Sequence, residues 1–164
     1  MSDPRLAHFK VMLAYERHAT VAVERSLLSV PAAGRAEPGY LKAAAIFGHI
    51  QQATYLWLVR LGELEARPFE MFPAWSPEQS AADAAESHAA MERLLAGLDG
   101  QGLERAVAYT SLDGTAYRST VGEILTHVFN HATYHRGQIA LLVAGAGGER
   151  ATTDFIAFSR VKGG

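Results

Sequence analysis

Apolar residues along this chain recur mainly every three or four positions, the spacing that gathers side chains on one face of an α-helix. Leu6, Phe9, Leu13, Val21, Val23, Leu27 and Leu28 follow Asp3-Pro4, an N-cap with proline at the first helical position. A first helix is expected from about Pro4 to Leu28. Ser29 to Gly39 holds two prolines and two glycines and reads as a connection. Tyr40 to Leu61 is the second helix, with Leu41, Ala45, Gly48/His49, Gln52 and Leu56 on one face. From Gly62 to Trp75, Pro68 and Pro73 stand among Phe69, Met71, Phe72 and Trp75. A connection so long and aromatic is expected to pack, as a lid or as a contact with a second copy.

Ser76-Pro77-Glu78-Gln79 is a capping box and opens a third helix that runs to about Leu98. Ala106–Tyr109 and Thr115–Arg118 flank Asp113-Gly114, a hairpin signal, since glycine supplies the positive φ of the turn. Thr120-Val121-Gly122-Glu123 is a second capping box, and the fourth helix should reach about Ala144 before Gly145, Gly147 and Gly148 stop it. The tail, Thr153 to Phe158, is apolar enough to dock. The pattern predicts an all-α chain, a four-helix bundle with a short β-hairpin before the last helix, as one domain over residues 1–164.

The chemistry concentrates on the fourth helix. With about 100° per residue, Val128, His131, His135, Ile139 and Leu142 all fall within roughly 60° of Ile124. His131 and His135 therefore sit inside the apolar stripe, one turn apart, and His127 sits on its rim. His49 faces inward on the second helix between small residues that leave room beside it. Three imidazoles from two helices can converge on a divalent metal and leave positions open for water or substrate. The competing reading is of buried histidines bonded to their neighbours. It is the simpler one for His49 alone, but an unpartnered pair on a core stripe would be costly. Neutral imidazole suits zinc, nickel, iron or copper. Glu123 is explained by capping. Arg136 points away from the site and reads as half of an ion pair. Gln138 stays on the inner stripe, able to hydrogen-bond a ligand imidazole. Tyr109 and Tyr117 are within reach of the cavity, with packing as their default. His8, His18 and His88 read as surface or packing residues.

Composition narrows the chemistry further. The 164 residues carry a net charge of −2, which gives no electrostatic case for nucleic acid or an anionic membrane. No apolar run reaches membrane-spanning length and no signal peptide is legible, so a cytoplasmic protein is expected. The absence of cysteine restricts metal ligands to nitrogen and oxygen, and any thiol chemistry to a thiol from outside the chain. There is no phosphate loop, no His-Glu-x-x-His, no Gly-x-Ser-x-Gly and no Glu-x-x-His.

His49 together with Asn130-His131-x-x-x-His135-Arg136-Gly137-Gln138 resembles the DinB/YfiT-like superfamily of damage-inducible-type bundles. Tyr15 with Ala19, Asp113-Gly114 and Asp154-Phe155-Ile156 extend the resemblance over most of the chain. His18 and Thr20 depart from it, standing where an aromatic residue and asparagine are common. The resemblance implies an up-down-down-up bundle, commonly a homodimer, with His49, His131 and His135 holding a divalent ion: zinc, nickel or iron. It also implies a small-molecule substrate, since characterised relatives include transferases and isomerases that use thiols such as mycothiol, bacillithiol or glutathione. Two uses follow. One is a metal-dependent hydrolase or thiol-dependent transferase acting on small electrophilic molecules. The other is a non-catalytic, stress-associated bundle in which the ion is structural.

Overall fold

A computed structural model describes residues 3–160. The chain forms α1 (Pro4–Leu28), a 3-10 turn (Ala32–Ala36), α2 (Pro38–Leu61), α3 (Pro77–Gly97), α4 (Gly100–Glu104), β1 (Ala106–Thr110), β2 (Ala116–Thr120), α5 (Val121–Gly145) and α6 (Phe155–Ser159). The caps do what their side chains dictate. The Asp3 carboxylate accepts from the Arg5 N–H, and Ser76 and Thr120 each close a capping box with Gln79 and Glu123. α2 starts two residues earlier than its periodicity suggests, because Pro38 fits the first turn, where no N–H is needed. It ends at Gly62, whose φ of 84° is left-handed. The 3-10 turn, α4 and α6 are too short to show a hydrophobic period, and the sequence pattern does not reveal them.

Cross-helix contacts give the direction of each rod. Phe9 stacks near Phe129 and Glu16 meets Arg136, so α1 and α5 run the same way. Arg17 pairs with Glu92 while Asp3 lies beside Gly100, so α3 runs against α1. His49 meets His131 and Trp57 meets His127, so α2 runs against α5. The result is up-down-down-up. The hairpin joins α3 to α5, with Ala106 opposite Thr120 and Thr110 opposite Ala116.

Burial divides the core in two. One apolar cluster holds Leu6, Phe9 and Leu13 with Leu58, Met91, Ile124 and Phe129. The other holds Val23 and Leu27 with Tyr40, Phe47, Ile139 and Val143. Polar groups occupy the level between them. Glu16 and Arg136 pair on one side, and His49, His131 and His135 gather on the other. Arg136 Nη1 donates to both Glu16 oxygens at 2.7 Å, and Nη2 donates to Thr133 Oγ1 (2.7 Å) and Tyr15 Oη (3.1 Å). Burial pushes the Glu16 carboxyl up and the guanidinium opposes it. Tyr15 Oη in turn donates to the Thr153 carbonyl, and Phe155 and Phe158 pack on its ring, so the tail docks here as expected. Among the described residues no helix is long and apolar enough to cross a membrane.

His88, on the inner side of α3, is a buried packing residue. Burial, with the Arg17 charge adding to it, pulls its imidazole down to about 4. A histidine held neutral in the fold stabilises it above its unfolded pKa of about 6.5, and that contribution is lost as pH falls toward 4. Urea midpoints of chelated wild type and His88→Gln, measured at pH 7 and pH 4.5, should show this. The wild type should lose about 2 kcal/mol more than the variant over that interval. Parallel losses would refute a neutral His88.

Candidate metal centre

α2 and α5 run antiparallel, so His49 lies across from the turn of α5 that carries His131 and His135. The three ring nitrogens fall within 4.8 Å of one another. His131 Nε2 is 3.2 Å from His49 Nε2 and 3.1 Å from His135 Nε2. The other side of two rings is already committed. His49 Nδ1–H donates to the Met71 carbonyl (2.9 Å), and His135 Nδ1–H donates to Gln138 Oε1 (2.8 Å). Each hydrogen bond fixes the tautomer and turns an Nε2 lone pair toward the centre.

That arrangement lacks hydrogens. His131 Nε2 can offer one at most, so one of the two short nitrogen–nitrogen contacts contains none. Protonation does not solve the problem. Burial, then the neighbouring His135, His49 and His127, pull His131 down to about 4, and burial lowers His49 as well. A cation does solve it. Nitrogens bound at about 2.0–2.1 Å to a tetrahedral or octahedral ion stand roughly 2.8–3.4 Å apart, and the two short contacts here are 3.1 and 3.2 Å. The residues present therefore fit a divalent metal.

The aromatic connection between α2 and α3 covers one side. Phe72 stacks on the His49 ring, 4.2 Å between centroids and 12° between planes. Gly48 makes room for this, because a Cβ there would stand 2.7 Å from the Pro73 ring. The space that small residues leave beside His49 is thus filled by the connection itself. The expectation that this connection packs is met for Met71, Phe72 and Pro73.

The other side is open. A cleft of about 560 Å³ runs from His49 and His131 past Ala53, Leu56 and Trp57 to Arg60. Tyr109 and Tyr117 of the hairpin line it, packed on each other and, through Tyr109, on Trp57. A larger hollow of about 1180 Å³ lies at the α1–α4 end, away from the histidines. His127 is exposed at the cleft edge, 5.5 Å from Trp57 between ring centroids, and is outside the cluster. Glu123 is a capping residue, Gln138 holds the His135 ring, and Arg136 forms the expected ion pair. Glu16 is the ion-pair partner of Arg136 that the sequence pattern does not name. Its signal was present: Leu6, Phe9, Leu13, Glu16, Thr20, Val23 and Leu27 form one stripe, with a charge in the middle.

The sequence model of the DinB family matches residues 10–162. Protein DinB of Bacillus subtilis (strain 168) is 50% identical over 38 residues, 23% of this chain; the match spans 22% of the relative's length. The crystal structure of a DinB-like protein from Bacillus cereus ATCC 10987 superposes with a TM-score of 0.63, covering 86% of this chain and 94% of that one at 19% identity. The likeness shows a shared fold.

Proposed function

The chain belongs to the DinB family, and from that premise we propose that it is a divalent-metal-dependent enzyme acting on small electrophilic molecules. Its nucleophile is water or an external low-molecular-weight thiol. The observation that carries this reading is the open side of the triad. An ion serving only to brace α2 against α5 needs no cleft beside it, whereas His49 and His131 both line one.

His49, His131 and His135 would hold the ion, whose chemistry is to lower the pKa of a bound water or thiol near neutral pH. The chain does the rest. The Met71 carbonyl and Gln138 orient two rings and keep their Nε2 atoms unprotonated. Phe72 shields His49 from solvent on the lid side. The apolar wall of Leu56, Trp57 and Met71 gives the electrophile a dry surface to lie on. With no cysteine in the chain, a sulfur nucleophile must arrive as a second substrate.

Metal-loaded protein should be assayed with a panel of small thiols, and with water alone, against epoxides, activated aryl halides and esters. Turnover that disappears on chelation and returns with metal is expected. Stoichiometric metal without metal-dependent turnover on any member would leave the structural-brace reading in its place.

A further inference from the structure

We propose that the cleft beside the triad binds an elongated aromatic monocarboxylate, and that Arg60 reads its charged end. The inference rests on the reading above for what happens at the other end of the molecule. His49, Ala53, Leu56 and Arg60 lie on one face of α2 at spacings of four, three and four, so the Cα atoms of His49 and Arg60 stand about 16 Å apart along the helix axis. The Trp57 ring touches the Arg60 guanidinium and also His127, which neighbours His131, so a ligand's charged end at Arg60 and its reacting end at the triad would lie at different ends of the cleft.

Arg60 is held and yet unspent. Its guanidinium lies 4.5 Å from the Trp57 ring and 4.9 Å from the Tyr109 ring, and the two rings meet edge to face at 4.8 Å. Its Nη2 donates to the Thr110 carbonyl at 2.8 Å, leaving most of its five N–H donors without a protein acceptor. Among the described residues no carboxylate pairs with it. Burial works against its charge, with Tyr109 opposing that. A pre-oriented, partly desolvated guanidinium of this kind fits a planar carboxylate bidentately. A phosphate dianion fits less well, because Asp113 also lines the cleft and is held ionised by Ser111 and Thr115. Between the two ends, Trp57, Tyr109, Tyr117 and Leu112 offer flat apolar surface, and about 560 Å³ suits a two-ring body.

The test is calorimetric titration of the full chain with 2-naphthoate and with 2-naphthamide, its neutral counterpart, in zinc-loaded and chelated protein. The acid should bind about tenfold more tightly than the amide in both forms. Arg60→Met should erase that preference and change the amide's affinity less than roughly twofold, which a role limited to bracing the hairpin would not produce. At saturation the wild-type Arg60 Nε–H resonance should move further with the acid than with the amide, a reading that needs no variant. Equal affinities, or no binding of either ligand, would overturn the proposal. A preference that vanishes on chelation would overturn it too, by assigning the carboxylate to the triad. An Arg60-dependent preference in a protein without turnover would retain this site while removing the catalytic reading.

Discussion

Arg136→Met should cost the fold about 3–5 kcal/mol, because it strands the Glu16 carboxylate in the core. Both Glu16 oxygens take their hydrogen bonds from one guanidinium nitrogen, and both residues are almost fully buried. The same guanidinium supports Tyr15, which holds the Thr153 carbonyl, so the substitution loosens the tail as well. Against a total stability of roughly 5–15 kcal/mol, such a loss is readily measured by urea unfolding of chelated protein. The double variant Glu16→Leu/Arg136→Met should recover most of it, since an apolar pair leaves no buried charge behind. A single-variant loss below about 1 kcal/mol would show that water reaches Glu16 and that the pair is not sealed.

His49→Ala and His135→Ala should each abolish stoichiometric metal, where elemental analysis of the wild type should find one ion per chain. The triad has only three protein ligands, and each variant leaves two, from which a divalent ion dissociates readily. The melting temperature should report the same loss. Free ion at a thousandfold excess over its Kd adds about 4 kcal/mol, which for a chain of this size raises Tm by roughly 8–16 °C. Neither variant should show that rise. Wild-type protein that neither retains metal nor melts higher with it would end the metal reading, and equal rises in all three proteins would place the ion elsewhere.

The four long helices and their caps were legible because each depends on local chemistry: a period of three to four, a proline in the first turn, a serine or threonine three residues before a glutamine or glutamate. The triad was legible for a related reason, since His131 and His135 occupy stripe positions where an imidazole needs a partner. Three things were hidden. The hold of Met71 on His49 crosses 22 positions of sequence through a backbone carbonyl, which no residue type advertises. Arg136 reads as half of an ion pair, but its partner lies 120 positions away, and only Glu16's place on an apolar stripe hinted at which residue it is. Arg60 was hidden differently, because its unspent donors become visible only once Trp57, Tyr109 and Thr110 are seen around it.

The polar level between the two apolar clusters also acts as a vernier for helix alignment. Leucines and valines tolerate sliding by a turn, since one greasy contact replaces another. Sliding α1 one turn along α5 in either direction would set Glu16 against Ala132 or Ala140 in place of Arg136, leaving the carboxylate facing a methyl group. Misaligned bundles thus carry a stranded charge that the native alignment does not. The layer that interrupts the greasy packing is what makes only one alignment tolerable.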